Sequence, residues 1–221
     1  LWRDPRPRIG NRKRKLPRGA ECDAQTDPAL LRELDRVRKQ ITHDLPHANF
    51  IAPFILDPNN PNYLYAAAGG HVLFSQDFGA TWSDTGLPSI YMGPNDPFRG
   101  SSGERLVVDP NRPGLLYFAS RKDGLWRRDA GGTWARVAGR LPNTRCVKEG
   151  GGACLYPGYT FVVFDKNSGT TGGSTNVVYA GAYGKGVYAS RDAGVSWRRI
   201  GKFKDPLRAA VAADGTLFVT F

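Results

Sequence analysis

The sequence predicts an all-β fold: a partial β-propeller of about three to four four-stranded units, preceded by a basic arm and a short helix. Three observations carry that expectation. Gly and Pro are abundant, 27 and 16 of 221 residues, while hydrophobic residues reach 40% and aromatics 11%, a balance suited to short strands and many turns rather than to helical bundles or coiled coils. An octet of the form (S/R)-x-D-x-G-x-(T/S)-W occurs three times, at residues 75–82, 127–134 and 190–197. A second landmark, an aspartate opening a turn before an apolar run, stands upstream of each octet at Asp57, Asp109 and Asp165. Two landmarks in the same order, repeated at a period near 50 residues, mark an array of supersecondary units. Four short strands per unit at that period is the signature of propeller blades.

The elements follow in chain order. Residues 1–26 are expected to form a disordered basic arm: the first twenty carry eight cations against Asp4 alone, so +7 of the net +11 lies there, and too few apolar groups accompany them to offset chain entropy. Such an arm suits an anionic surface or a solvated tail. Nucleic acid ranks last as a partner, because no aromatic stacking platform is interleaved with the charges. Residues 27–48 comprise a helix and linker, with Pro28 in the first turn and Leu30, Leu31, Leu34, Val37 and Ile41 at helical spacing. Residues 49–221 form the propeller, with blades at about 49–104, 105–157 and 158–204 and the start of another at 205–221. In the first blade the strands are expected near 49–56, 63–68, 72–75 and 81–83. The octet aspartates recur at 77, 129 and 192, in steps of 52 and 63, and the added length in the third unit maps to the Gly/Ser/Thr-rich stretch 168–176, read as a loop expansion.

The octets read as scaffold. Asp77, Asp129 and Asp192 accept N–H bonds across their own turns; Gly79, Gly131 and Gly194 take positive φ; Thr81, Thr133 and Ser196 close the turn by their hydroxyls. Trp82, Trp134 and Trp197 anchor the fourth strand in apolar packing. Repetition of the same turn in every unit argues against these aspartates as catalytic acids. Trp126 reads as blade packing before sugar platform. The three histidines, His43, His47 and His71, have no metal-ligand spacing with the cysteines, so neither a metal nor any cofactor is expected. Cys146 and Cys154 flank a Gly-rich loop and are close enough in sequence for a disulfide, with two reduced thiols as the alternative; Cys22 is left over. The longest apolar run, Phe50 to Leu56, is far short of the roughly 18 residues of a membrane span. No charged start followed by an apolar stretch marks a signal peptide.

The octet is the Asp-box, or BNR repeat, known from sialidases, sortilin-type receptors and several glycoside hydrolases. Residues 99–134 are more specific. An Arg-Gly pair, Gly-Glu-Arg-Leu, Asp-Pro-Asn and Gly-Leu-Trp-Arg precede the second Asp-box in that order, and the run resembles the first propeller of glycoside hydrolase family 74. The resemblance covers about residues 49–221. It implies a secreted xyloglucan- or β-1,4-glucan-hydrolysing enzyme built from two propellers facing across a cleft. It also implies partners: a polysaccharide, with the remaining blades or the second propeller of a parent protein. The family's aspartate acid lies in an Arg-Thr-Asp-x-Gly-Gly type motif on the first blade, to which nothing in residues 1–56 corresponds, and its second carboxylate comes from the other propeller. Inverting hydrolysis needs both, so the chain alone is expected to be inactive, with no catalytic residue assigned and Asp214 read as a tight turn. Sugar-contacting candidates fall in the non-repeating segment 88–105: Tyr91 to stack on a pyranose, and Arg99, Glu104 and Arg105 to bond hydroxyls. A buried Glu104–Arg105 pair fixing the inner strand is the equal alternative. The other function class is a non-catalytic Asp-box segment binding protein or glycan, as in sortilin-type receptors.

Overall fold

The computed structural model describes residues 51–90, 103, 105–142, 158–201 and 203–221. The expected basic arm and helix lie outside these residues, as do Tyr91, Arg99, Glu104 and all three cysteines. Among the described residues every regular element is a strand, and no helix there is long and apolar enough to cross a membrane.

Among the described residues, fourteen strands form three four-stranded antiparallel meanders and a hairpin. The first blade holds β1 (Ile51–Asp57), β2 (Asn60–Ala68), β3 (His71–Ser75) and β4 (Ser83–Asp84). The second holds β5 (Leu106–Val108), β6 (Leu116–Ala119), β7 (Leu125–Arg128) and β8 (Trp134–Arg136). The third holds β9 (Tyr159–Thr171), β10 (Ser174–Ala182), β11 (Gly186–Ser190) and β12 (Arg198–Ile200), and β13 (Arg208–Val211) pairs with β14 (Leu217–Thr220). The first strands β1, β5, β9 and β13 touch in succession, so the sheets stack around one side of an axis with their first strands innermost, as propeller blades do. The fourth strand of the first blade begins only at Ser83 because Thr81 is held back in the preceding turn by Asp77.

Second strands are buried on both faces, which explains their near-continuous apolar sequences. Residues of β2, β6 and β10 alternate between the two neighbouring interfaces. Tyr65 and Ala67 meet Leu116 and Phe118 of the next blade. Tyr117 and Ala119 meet Val178, Ala180 and Ala182, and Tyr179 meets Leu217. Each blade therefore pushes one tyrosine into its successor. Tyr117 reaches so far that a Cβ at Gly194, in the third Asp-box, would stand 1.9 Å from its hydroxyl oxygen. That glycine is required twice, by this approach and by its φ of +86°.

A polar ladder runs beside the apolar one. In the turns Asp57–Asn59, Asp109–Asn111 and Asp165–Asn167, each asparagine N–H donates to the aspartate Oδ1, at 2.8, 2.9 and 3.2 Å. The asparagine side chains then cross to the following blade. Asn59 Nδ2 donates to the Asp109 carbonyl at 2.9 Å, Asn111 Nδ2 to the Lys166 carbonyl at 3.1 Å and Asn167 Nδ2 to the Ala213 carbonyl at 3.0 Å.

The stretch 168–176, expected as a loop, is instead strand. β9 and β10 run on beyond the blade, pairing Thr171 with Ser174 and Thr170 with Thr175, around a two-residue turn in which Gly172 and Gly173 both have positive φ. Gly and Ser suggested a loop, but the Gly-Gly pair is a hairpin turn and the flanking threonines are good strand formers. A register shift between Thr175 and Val177 marks where the insertion enters. Its base grips the second blade: Thr175 donates from N to Asp109 Oδ2 at 2.9 Å and from Oγ1 to Asp109 Oδ1 at 2.5 Å. Arg112 Nη1 donates to the Gly172 carbonyl and to Ser174 Oγ. Asp109 is only 1% exposed, so these donors hold a buried carboxylate. The corresponding carboxylate of the first blade has no such grip, and Asp57 Oδ2 is left without a hydrogen-bond partner.

Thr175→Val removes a hydroxyl from a buried carboxylate. Equilibrium denaturation is expected to show a loss of about 1.5–3 kcal/mol, with Thr175→Ser retaining most of the stability.

Candidate functional site

An antiparallel meander sends its turns alternately to two ends. The Asp-boxes, between third and fourth strands, share one end with the Asp-x-Asn turns. In the first box Ser75 Oγ donates to Asp77 Oδ1 and accepts the Gly79 N–H at 2.7 Å; Asp77 in turn accepts Thr81 N at 2.8 Å and Thr81 Oγ1 at 2.7 Å. The third box repeats this with Ser190, Asp192, Gly194 and Ser196. Trp82 and Trp197 each donate from Nε1 to the carbonyl of their own box glycine, both at 3.1 Å. Trp197 is buried against Tyr117, and Trp82 packs on Leu64, Ala66, Ala68 and Leu73.

The second box is built differently. Arg127 stands where the other boxes have serine, so no hydroxyl is available to bind both the aspartate and the glycine N–H. Asp129 Oδ1 still accepts Thr133 N at 2.7 Å. Positive φ moves from Gly131, where the pattern predicted it, to Gly132, and Gly132 N still donates to the Asp129 carbonyl as Ala80 N and Val195 N do to Asp77 and Asp192 in the other boxes. Phe78 and Ala193 donate their N–H to the carbonyls of Asn62 and Asn176; in the second blade Arg128 supplies its guanidinium to the equivalent Gly114 carbonyl at 3.1 Å. Trp134 turns to donate to Thr85 Oγ1 of the first blade at 3.1 Å. Trp126 packs between the same two blades and donates to the Asp123 carbonyl.

The connectors between blades gather at the other end, where the sugar-contacting candidates were placed. Of those, Arg105 is the one described: it precedes β5, is 4% exposed, and its carbonyl accepts Ala119 N at 2.7 Å. Gly103, two residues earlier, donates to the Leu207 carbonyl on the connector into β13. Gly158 donates nothing through a side chain but leaves room for the Arg121 carbonyl, which would lie 2.0 Å from a Cβ there; its own carbonyl accepts Tyr183 N. The turn Ser120–Gly124 is organised by Ser120 Oγ, which donates to Asp123 Oδ2 and accepts Lys122 N and Asp123 N. Two buried guanidinium-bearing residues, Arg105 and Arg121, thus stand at this end with Lys122, Asp123 and Tyr183 on the neighbouring turns. Sequence reading did not single out Arg121; the available signal was a serine three residues before Asp123, which fixes the turn carrying it. His71 Nδ1 lies 2.8 Å from Asp84 Oδ2. Among the described residues no three His, Cys, Asp or Glu side chains are grouped to hold a metal ion.

The hydroxyl and N–H of Thr81, with the Ser75 hydroxyl, hold the Asp77 carboxyl down at about 2. Burial works against the same effect at Asp192, where bonds from Ser196 and Ser190 still keep the carboxyl below its usual range. A carboxyl lowered on folding stabilises above the ordinary aspartate range, and the benefit is lost as pH falls through the folded value. Melting temperatures of the wild-type chain and of Asp77→Asn are therefore expected to differ at neutral pH and to converge between about pH 4 and 2.

No family model matches the chain. It is 38% identical over 192 residues to the xyloglucanase Xgh74A of Acetivibrio thermocellus, covering 75% of this chain and 22% of that protein. It is 35% identical over 195 residues to a Paenibacillus xyloglucanase, covering 78% and 18%. The chain thus spans about a fifth of the length of these curated relatives. Its fold superposes on the family 74 xyloglucanase of Xanthomonas campestris with a TM-score of 0.65 at 35% identity, covering 78% of this chain and 27% of that one. For the family 74 enzyme of Niastella koreensis the TM-score is 0.61 at 30% identity, covering 76% and 25%. Sequence and blade architecture agree, and the chain carries a partial Asp-box β-propeller of glycoside hydrolase family 74.

Proposed function

We propose that this chain forms one wall of the glycan cleft of an exported xyloglucan-hydrolysing enzyme and is not itself sufficient for hydrolysis. The observation that supports the reading most is 38% and 35% identity to two xyloglucanases over 192 and 195 residues, a span far longer than the repeated octets. Scaffold turns recur in many propellers, whereas connectors differ with what a propeller binds.

In this reading the wall is the connector end. Tyr91 stacks on a pyranose ring, and Arg99, Glu104 and Arg105 bond to hydroxyls. Stacking supplies apolar contact over the C–H face of the sugar, and the charged groups set its orientation. Bond cleavage needs one carboxyl to protonate the leaving oxygen and a second to activate water. No counterpart of the family's Arg-Thr-Asp motif occurs in residues 1–56, so we assign the acid to a blade outside this sequence and the base to a second propeller. The disulfide proposed for Cys146 and Cys154 suits an oxidising, extracellular setting.

Tamarind xyloglucan tests the proposal. The chain is expected to be retarded in a xyloglucan-containing native gel, less so for Tyr91→Ala, and to release no reducing ends. Turnover by the wild-type chain would overturn the assignment of the acids elsewhere. Unretarded migration would overturn the wall itself and favour a segment that binds protein.

A further inference from the structure

The three Asp-boxes share a scaffold and differ in what they display. Preceding the aspartate stand Gln76, Arg128 and Arg191; following the glycine, Ala80, Gly132 and Val195; following the tryptophan, Ser83, Ala135 and Arg198. Arg128 is committed to the Gly114 carbonyl. The third box alone combines a cation, an exposed apolar side chain and a second cation. Its turn has no use for them, since the first box makes the same hydrogen bonds with Gln76, Ala80 and Ser83 in those places. Val195 is 79% exposed, an unusual position for a large aliphatic side chain.

These residues border a cavity of about 610 Å³, where Gly139 and Arg140, on the chain leaving β8, meet Arg191, Val195, Trp197 and Arg198. The size is within the range of small-molecule sites, roughly 300–1,000 Å³. Arg140, Arg191 and Arg198 are exposed and have no ion-pair partner among the described residues. Asp192 also borders the cavity, but its oxygens are engaged by Ser190 and Ser196. Three like charges around one hollow repel one another, and an anion entering it relieves that repulsion.

We propose that this cavity, between the third Asp-box and the chain leaving β8, binds the carboxylate of an acidic sugar, a uronate unit of an anionic polysaccharide. Guanidinium groups match a carboxylate through paired N–H donors, and the exposed Val195 offers an apolar surface to the C–H face of the ring. A nucleic-acid backbone fits less well, because the charges close on a hollow rather than following a groove. The site uses none of the residues assigned to the xyloglucan wall and does not depend on that wall.

Isothermal titration of the full chain with trigalacturonate is expected to show binding that weakens with added salt. Arg191→Ala and Arg198→Ala are each expected to lower affinity about tenfold or more, with melting temperatures unchanged because both side chains are exposed. Xyloglucan oligosaccharide should not compete. The proposal fails if trigalacturonate gives no heat at millimolar concentration or if the double variant binds like wild type. Equal competition by inorganic phosphate would show a site that reads charge alone and would overturn the sugar assignment.

Discussion

Each blade is held to the next by an asparagine that serves two turns at once. Its backbone N–H completes its own Asp-x-Asn turn, and its side chain crosses to a carbonyl of the following blade. Apolar contact between stacked sheets is strong but indifferent to small slides along the strand. A directional bond at the same point of every blade removes that freedom. Register between blades decides where the connectors emerge at the far end, and hence the shape of any cleft. The ladder also accounts for the third-blade insertion, whose hairpin base supplies the N–H and hydroxyl that hold the buried carboxylate of Asp109.

The Asp-boxes show how much variation the scaffold tolerates while this register is kept. Two of them use a serine hydroxyl to clamp the aspartate and the glycine N–H together. The second lacks it, shifts the positive φ by one residue and recruits Arg128 for a carbonyl that a backbone N–H satisfies elsewhere. Its tryptophan then bonds across to Thr85, so a turn weaker within its own blade is more firmly tied to its neighbour. The tyrosine of each blade adds a constraint from the other direction. Tyr117 is so deeply enclosed that burial raises its hydroxyl to about 12, and its tip occupies the space that any side chain at Gly194 would need.

These arrangements separate duties between the two ends. The box end is polar, repeated and self-satisfied, which makes it a scaffold. The connector end is irregular and carries the buried Arg105 and Arg121. Only the third box departs from this division, by displaying arginines and an exposed valine that its turn does not require.

The all-β class, the repeat, the Asp-box turns and the family were all legible in the sequence. Each rests on local chemistry: Asp, Gly and hydroxyl residues at fixed offsets dictate a turn whatever surrounds it. The reversal at 168–176 was misjudged from composition, because Gly-Gly and Ser-Thr runs suit a hairpin as well as a loop and only pairing with the neighbouring strand distinguishes them. The departure of the second box was visible as Arg127 in place of serine, but its consequence was not, since the replacement partners Gly114 and Thr85 lie 14 and 49 residues away from the groups they accept. Which faces the tyrosines fill, which carbonyl each asparagine reaches and which arginines share a cavity depend on how sheets stack. Sequence by itself determined the units and their turns, which are set by neighbours along the chain; tertiary structure decided the contacts between units, which are set by neighbours in space.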